Sequence, residues 1–388
     1  MTGKIKGVNF GNWLVLEKWM EPGMFAGTDA EDETWLNRLM KPAELAQRMK
    51  EHRDTYITGE DFRFVAERGV NLVRIPVPYF IFGDRPPFLG CIEYLDQAFD
   101  WAEQCGVQIL IDLHTVPGSQ NGYDNGGLTG VCKWCKDPKE VEFALTVLER
   151  LAARYGARAG LFGIQVLNEP ISFPVWVSSP SFRAAVDKEE AKGSWCVPMR
   201  FLKPFYVEAY RRLRAILPEE KTIVFHDGFR LTHWNRFFDE QNMKNVMLDT
   251  HIYIFAMEKF VPLPMLWVYR IYVGFNRWKI KRVARHIPVV VGEWCISCNY
   301  ANNVGKGKVL TQELAARKQK RFQEVAALQT DAWSASAGYI YWNYQLLRDR
   351  EIPTDDPWKE SWDLCRCWQR GWMPDRLYLP TEAMKKGR

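Results

Sequence analysis

Two glutamates, each at the end of an apolar run, are the residues of this 388-residue chain best placed for chemistry. One run is Gly163-Ile-Gln-Val-Leu-Asn-Glu-Pro170, which contains Asn168-Glu169, and the other is Pro288-Val-Val-Val-Gly-Glu293-Trp294. Such runs are typical of buried strands that present an acid at the rim of a sheet. Paired carboxylates can hydrolyse a glycosidic bond, with retention when they are about 5–5.5 Å apart and inversion when the gap is wider. The sequence alone does not determine the distance between the two carboxylates. It does place Asn168, next to Glu169, where it could hydrogen-bond a sugar 2-hydroxyl.

Eight short apolar runs, separated by helical patterns, must position these acids. We predict strands at 5–10, 70–76, 107–114, 161–168, 222–226, 246–251, 288–293 and 338–343. Helix ends fall between them: Thr58-Gly-Glu-Asp61 and Asp137-Pro138 open helices, and Gly69, Gly106 and Gly156 close helices. Eight strand–helix units predict an α/β fold, a (β/α)₈ barrel, with long βα loops and one catalytic domain over residues 1–388.

A doubly wound open sheet is the structural alternative, because it also alternates strands and helices. It is disfavoured because Gly7-Val-Asn-Phe-Gly-Asn-Trp13 lacks the three-glycine spacing of a phosphate loop. In a barrel, the polar residues at the C-terminal strand ends meet at one mouth. Those residues are Asn9, Arg74, His114, Asn168, Glu169, His226, His251, Tyr253, Glu293, Trp342 and Asn343.

Composition excludes several classes of protein. With 47% hydrophobic and 26% charged residues, the chain is typical of a globular protein. Its net charge of +5 is spread among interleaved acids and bases, which argues against nucleic-acid binding. No apolar stretch suits a membrane span and no signal peptide is recognisable, so we expect a cytoplasmic protein without stable membrane association, or a secreted one if a leader was removed. The working expectation for its oligomeric state is a monomer.

Nine cysteines, an odd number, are expected to be free thiols in a reducing compartment. The pairs Cys132-Lys-Trp-Cys135, Cys295-Ile-Ser-Cys298 and Cys365-Arg-Cys367 have no histidine at ligand spacing, which disfavours a structural zinc site. We therefore predict neither a metal nor a cofactor.

The strand-end residues resemble the active-site set of glycoside hydrolase family five, in clan A. The resemblance rests on Arg74 in Val-Arg-Ile-Pro, His114 in Asp-Leu-His, Asn168-Glu169-Pro170, His251-Ile-Tyr253, Glu293 in Gly-Glu-Trp, and Trp342. It implies a retaining mechanism with Glu169 as general acid/base and Glu293 as nucleophile. It also implies that Arg74 and Tyr253 lie beside Glu293, that His114 and His251 border the sugar, and that Trp342 forms its stacking floor. Glu293 should then be ionised, and Glu169 should keep its proton at neutral pH.

Two longer motifs resemble the exo-β-1,3-glucanase branch of that family. They are Gly7-Val-Asn-Phe-Gly-Asn-Trp-Leu-Val-Leu-Glu17 and Pro117-Gly-Ser-Gln-Asn-Gly-Tyr-Asp-Asn-Gly-Gly127, although Asn12 replaces a glycine of the branch. The resemblance implies that Glu17, Asp124 and Asn125 hold a terminal glucose and close the pocket, with Tyr123 at an aromatic position. The expected activity is that of an exo-acting β-glucosidase or exo-β-1,3-glucanase on a carbohydrate substrate.

The segment 255–275 departs from that pattern because it is rich in large apolar residues, and the basic cluster 277–285 follows it. We expect a buried loop over the barrel edge and a solvated helix face. The alternative is an apolar wall for a hydrophobic aglycone such as an aryl, steryl or lipid group, with the basic cluster facing an anionic membrane. An endo-β-glucanase and a non-enzymatic sugar-binding barrel are the remaining alternatives.

Overall fold

Eight parallel strands close into a barrel, each hydrogen-bonded to the next, with β8 beside β1. The computed structural model describes residues 3–179, 183–309, 311–346 and 357–376. The strands are β1 (Ile5–Asn9), β2 (Leu72–Val77), β3 (Gln108–Leu113), β4 (Leu161–Gln165), β5 (Thr222–His226), β6 (Val246–His251), β7 (Val289–Glu293) and β8 (Gly338–Tyr341). All eight predicted strands are therefore confirmed, and the open sheet is excluded.

Helices follow the strands and cover the outside of the barrel. They are α1 (Glu33–Leu39), α2 (Pro42–Tyr56), α3 (Gly59–Glu67), α4 (Ile92–Cys105), α5 (Pro138–Tyr155), α6 (Phe173–Ser178), α7 (Lys188–Ala191), α8 (Met199–Arg214), α9 (Phe237–Glu240), α10 (Ile254–Glu258), α11 (Leu266–Val283), α12 (Asn299–Asn302), α13 (Gln312–Trp333), α14 (Pro357–Glu360) and α15 (Leu364–Gln369).

The predicted helix ends are present. Thr58 and Asp61 form a capping box at the start of α3, with the Thr58 backbone N–H donating to Asp61 over 2.8 Å. The side chain of Asp137 accepts from the backbone of Lys139 at the start of α5. Gly106 ends α4 with φ +68, a left-handed conformation that glycine adopts without steric cost. These caps fix the helix ends from which the chain continues to the neighbouring strands.

Four strands end earlier than predicted, β1 and β3 by one residue and β4 and β8 by more, because the chain leaves the regular ladder as it reaches the mouth. β4 ends at Gln165, although the Asn168 N–H still donates to the Leu113 carbonyl over 2.9 Å. Glu169 then adopts φ +42, which is uncommon for a residue other than glycine and is concentrated at functional sites. β8 ends at Tyr341, one residue before Trp342.

The interior of the barrel is apolar at its base and polar at its mouth. The base is filled by Ile5, Leu72, Leu110, Val224, Met247, Val290 and Ile340. A larger apolar core lies between strands and helices, and a separate cluster that includes Leu16, Met24 and Leu36 supports the long loop after β1. The mouth is thus built on rigid elements.

The prediction of a buried loop for residues 255–275 is wrong over most of its length. Phe260, Trp267 and Ile271 are 72%, 53% and 65% exposed. The apolar side chains of this segment line the outer side of α11 and the loop before it, whereas Val268, Tyr269 and Val273 face inward. Within the described residues, no helix combines the length and the apolar character that a membrane span requires.

Candidate active site

Glu169 and Glu293 come from β4 and β7 and meet at one histidine. The Nδ1 atom of His251 lies 2.7 Å from Oε1 of Glu169 and 3.3 Å from Oε2 of Glu293. The sum of these distances limits the separation of the two carboxylate oxygens to at most 6.0 Å. All three side chains are buried. The two acids predicted from separate strand ends are therefore close enough to act on one bond.

Arg74 is the fully buried centre of the network below Glu293. Its Nη1 atom donates to Oε1 of Glu293 and to Oδ1 of Asn9, both over 2.8 Å. Its other nitrogens reach Gln165 at 2.9 Å, Asn168 at 2.7 Å and Asp112 at 3.0 Å. Tyr253 donates its hydroxyl to Oε2 of Glu293 over 2.8 Å. Both oxygens of Glu293 therefore have fixed partners. Arg74 and Tyr253 lie beside Glu293, the position that the family resemblance implies for them.

Asn168 has a defined orientation above Arg74. Its Oδ1 accepts from Arg74, so its amide Nδ2 is the donor, and that atom lies 3.4 Å from Nε2 of His114. The other ring nitrogen of His114 donates to Asp112 over 2.6 Å. The amide N–H of Asn168 is thus available to a hydroxyl that enters the mouth, with His114 at its side.

Two aspartates that we did not predict orient the two histidines. Asp112 bonds His114, and Asp249 accepts from Nε2 of His251 over 3.1 Å. Gln165, also missed, donates to Asp249 over 2.8 Å. The signal was the i, i+2 spacing in Asp112-Leu-His114 and Asp249-Thr-His251, because alternate residues of a strand face the same side. Each histidine therefore comes with its own carboxylate.

The pKa shifts at this site differ from the expected proton states. Burial would raise the pKa of Glu169, but the hydrogen bond and positive charge of His251 outweigh it and lower that pKa to about 2. Burial raises the pKa of Glu293, although His251 and Arg74 oppose the rise. Burial would favour neutral His251, yet Glu293, Asp249 and Glu169 raise its pKa well above the ordinary value. His251 therefore holds a proton next to an ionised Glu169.

The predicted closed end of the pocket is assembled from the loops after β1 and β3. Burial and the charges of Asp124, Glu293 and Glu169 raise the pKa of Glu17 well above its ordinary value. Burial raises the pKa of Asp124 to about 6. Asn125 lies 3.4 Å from Oε2 of Glu169, so this end is continuous with the pair Glu169 and Glu293. Glu17 accepts from the indole of Trp19 over 2.8 Å, a contact that the sequence did not indicate.

Trp342 and Asn12 are fixed by the loop after β1. The Trp342 ring stacks on His114, with centroids 5.6 Å apart and planes 9° apart. A Cβ atom on Gly11 would lie 2.6 Å from this ring, so the position requires glycine. Asn12 has φ +62, which asparagine tolerates, and its Oδ1 accepts from the Glu17 backbone over 2.9 Å. Its replacement of glycine therefore preserves the turn and ties it to Glu17.

Tyr123 completes the predicted set and is half-buried beside the pocket. Burial and the charge of Glu169 raise the pKa of its hydroxyl to about 12. All twelve predicted site residues therefore lie at or beside one mouth.

Known proteins are similar to this chain in sequence and in fold. The model of the family Cellulase (glycosyl hydrolase family 5) matches residues 33–345. The chain belongs to glycosyl hydrolase family 5. A probable glucan 1,3-beta-glucosidase A of Emericella nidulans is 32% identical over 89% of this chain and 86% of its own length. The glucan 1,3-beta-glucosidase of Blumeria graminis is 30% identical over 88% of this chain and 82% of its own.

The comparison with solved structures gives the same fold. The crystal structure of rutinosidase from Aspergillus niger has a TM-score of 0.72, with 20% identity over 96% of this chain and 98% of that one. The (β/α)₈ barrel and the assignment as a glycoside hydrolase, both predicted from the sequence, are confirmed by these matches.

An aromatic cluster, defined as Trp19, Tyr253, Phe255, Trp358 and Trp362, lies beside the two acids of this family 5 chain. Trp362 is its centre, with ring centroids 5.1 to 5.4 Å from the other four. The cluster connects the partner of Glu17 to the partner of Glu293. Aromatic faces of this kind can stack on sugar rings or on an apolar group.

Within the described ranges, the group of side chains with metal-ligand geometry is Glu169, His226 and His251, whose ligand atoms lie within 4.8 Å of one another. These residues fit a metal poorly. Both nitrogens of His251 already bond carboxylates, and the Nδ1 of His226 accepts from the Gly228 backbone over 2.9 Å. The absence of a metal and of a cofactor stays a prediction.

Proposed function

We propose that this chain is a retaining, exo-acting β-1,3-glucosidase that releases glucose from the non-reducing end of its substrate. The observation that carries the proposal is the position of His251 between Glu169 and Glu293. An oxygen separation of at most 6.0 Å leaves no room for the water of an inverting enzyme, which needs carboxyl groups about 6.5–9.5 Å apart. Relatives named glucan 1,3-beta-glucosidase support the choice of linkage.

In this proposal, Glu293 is the nucleophile and Glu169 the acid/base. Arg74 and Tyr253 fix the two oxygens of Glu293 and favour its ionised form for attack. Glu169 first protonates the leaving oxygen and then, as a base, takes a proton from the water that releases the sugar. The 2.7 Å contact lets His251 pass its proton to Glu169 for the first step and take a proton back from Glu169 after the second.

The closed end supports exo action over an endo-glucanase. The charge of Asp124 contributes to the raised pKa of Glu17, and burial raises the pKa of Asp124 to about 6, so these carboxyl groups can both accept from and donate to sugar hydroxyls. In the proposed pocket, a wall of such groups beside Glu169 confines the substrate to one terminal sugar. Product analysis on laminari-oligosaccharides checks this: glucose as the sole early product supports exo action, and mixed oligomers contradict it.

The role assignment is tested by substitution and labelling. Glu293→Gln should abolish turnover, because an amide cannot form the glycosyl ester. Incubation with a 2-deoxy-2-fluoro-glucoside should label Glu293, as read by mass spectrometry of peptides. Glu169→Ala should keep attack on substrates with good leaving groups and recover turnover with azide, giving a β-glucosyl azide. Labelling of another residue, or an α-azide product, would contradict the retaining mechanism.

The aromatic cluster favours a second candidate, a β-glucosidase for aryl, steryl or lipid glucosides. The cluster extends from Trp19, which bonds Glu17, to Tyr253, which bonds Glu293, and so offers an apolar wall beside the two acids for such an aglycone. Comparison of kcat/KM between aryl glucosides and laminari-oligosaccharides separates the candidates, since a higher value on the oligosaccharides rules out an aglycone specialist. The matched variant Trp362→Ala should lower aryl-glucoside turnover more than turnover of the oligosaccharide if the second candidate is right.

We further propose one catalytic domain over residues 1–388, a range that includes stretches outside the described residues. A carbohydrate is the expected partner, and a monomer is the proposed state. A cytoplasmic location is supported by the nine free cysteines, since secreted proteins usually pair theirs. Size-exclusion chromatography with light scattering would test the oligomeric state.

A further inference from the structure

The outer side of α11 and the loop before it expose more large apolar side chains than a solvated helix needs. Phe260, Leu263 and Met265 protrude from the loop, followed by Trp267 and Ile271 on the helix. This stretch follows directly on α10, which begins after Tyr253 at the mouth. The exposed apolar surface therefore starts beside the active site and continues down the side of the barrel.

On α11 these side chains form a single face. Trp267, Ile271, Phe275 and Trp278 are spaced by four, four and three residues, which places them on one side of a helix. Each is more than half exposed. Phe275 and Trp278 stack on each other, with centroids 5.9 Å apart. We call these four residues the α11 face. Their exposure has no role in the barrel core, which packs against the opposite side of the helix.

Positive charges continue the same face towards its C-terminal end. Lys281, Arg282 and Arg285 are exposed and follow Trp278 at helical spacing, and Arg270 lies within the apolar part. Among the residues that the structure describes, none of these four cations forms a salt bridge with a carboxylate. Ion pairs near these cations join His286 to Asp239 at 3.0 Å and Arg277 to Asp331 at 2.9 Å. The face is thus amphipathic along its length, apolar at one end and cationic at the other.

A cavity of about 420 Å³ lies at the cationic end. Trp278 forms one wall, and Arg236, Lys281, Arg282, Arg285 and His286 line the rest together with Asn235. Four guanidinium or ammonium groups around one cavity favour an anion with several oxygen acceptors, such as a phosphate ester. The cavity and the apolar face beside it therefore have complementary chemistry. The cavity suits a charged lipid head group, and the apolar face suits the boundary between head groups and acyl chains.

We propose that the α11 face docks this protein on an anionic lipid bilayer. Trp267, Ile271 and Phe275 enter the boundary between head groups and acyl chains, and the cationic end holds a lipid phosphate. Interfacial segments combine apolar and aromatic side chains with lysine and arginine in this way. The proposal does not depend on the substrate, because the face is separate from the acids at the mouth.

Charge complementarity favours a bilayer over a second copy of this chain. In a two-fold dimer the same patch packs on itself, so the cations of one copy would lie close to those of the other, and the nearby Asp239 and Asp331 already pair with His286 and Arg277. An anionic lipid surface instead supplies the missing negative charge at every cation. Dimerisation through this face is therefore an outcome of the test that would count against the proposal.

The test is flotation of the full chain with vesicles of phosphatidylcholine, alone or with about one third phosphatidylserine. The charge variant is Lys281→Gln, Arg282→Gln and Arg285→Gln. Its matched control removes three exposed lysines elsewhere on the barrel, Lys41→Gln, Lys139→Gln and Lys188→Gln. An apolar variant carries Trp267→Ser and Phe275→Ser. Hydrolysis of an aryl β-glucoside, which uses none of these residues, shows that each variant is folded.

We expect binding to the anionic vesicles, weakened by salt, and little binding to phosphatidylcholine alone. The charge variant should partition about 100-fold less well, since each cation near the surface contributes a factor of about five. The apolar variant should also lose binding, and the matched control should keep it. Absence of binding, equal loss in the charge variant and its control, or a dimer disrupted by Trp267→Ser would each overturn the proposal.

Discussion

Replacing His251 by asparagine tests whether this ring sets the proton state of Glu169. Asparagine keeps a donor for Glu169 but removes the positive charge. In the native site the bond and charge of His251 hold the pKa of Glu169 at about 2, against burial that would raise it. In the variant burial dominates, so the pKa should rise above the ordinary value near 4.5. That change exceeds two pH units and corresponds to about 3 kcal/mol.

The assay is the pH dependence of kcat on a dinitrophenyl β-glucoside. This leaving group departs without protonation, so in the proposed mechanism kcat reports the second step, which needs ionised Glu169 as a base. A base loses activity as pH falls through its pKa. The native enzyme should therefore keep kcat down to the lowest pH at which it stays folded. His251→Asn should lose kcat as the pH falls through the raised pKa of Glu169, at a pH where the native enzyme still keeps its kcat.

His226→Asn is the matched control. Burial and the charge of His251 lower the pKa of His226 well below its ordinary value, so this ring is neutral and its removal takes no charge away. The two rings are in contact, with centroids 4.3 Å apart, so packing is disturbed to a similar extent. If His251→Asn leaves the acid limb in place, or His226→Asn moves it equally, the charge of His251 does not control Glu169.

Three further outcomes follow from the geometry. Arg74→Lys should lower the melting temperature by several degrees and kcat/KM at least about 100-fold, as measured by differential scanning fluorimetry and initial rates. The reason is that a lysine cannot replace the five bonds of the buried guanidinium and leaves acids unpaired. Gly11→Ala should raise KM for glucosides by pushing Trp342 from its position 2.6 Å from the new Cβ, with the fold kept by circular dichroism. Glu17→Gln should weaken inhibition by glucose about tenfold, since an amide replaces the buried carboxyl group that bonds sugar hydroxyls in the proposed pocket, and unchanged inhibition would remove Glu17 from the sugar pocket.

The strands and the two acids could be predicted because each has a signal within a short stretch of sequence. That signal is an apolar run that follows a helix end and stops at a polar residue, and eight such runs define the barrel. Glu169, Glu293, Arg74 and Tyr253 stand at strand ends, so their convergence follows from the topology alone.

The pKa shifts of the two acids could not be predicted, because they depend on contacts between strands that are distant in sequence. His251 reaches Glu293 through a register shift between Thr250 and His251, which pairs His251 with Glu293 across β6 and β7. A regular ladder would have continued the pairing with Gly292. One residue of slip along a strand thus places a cation beside both acids, and no local pattern indicates it.

The exposed α11 face was missed for a different reason. Apolar residues at helical spacing in a sequence are usually assigned to a core, and α11 has apolar residues on both sides. Val273 and Ile280 face the barrel, whereas Ile271 and Phe275 face outward. Which side packs inward depends on where the neighbouring helix α13 lies, and that is a property of the whole fold.

The position of His251 resolves a conflict in the proposed mechanism. Glu169 must be an acid in the first step and a base in the second, while Glu293 must be ionised before attack and neutral as an ester afterwards. A fixed low pKa for Glu169 would suit the second step alone. Formation of the ester at Glu293 removes one of the three carboxylates that raise the pKa of His251, so the ring gives up its proton more easily during the first step. That proton leaves with the leaving group, which leaves Glu169 ionised beside a neutral His251 when a base is needed, and the proton that Glu169 then takes from water returns to His251 as Glu293 is released.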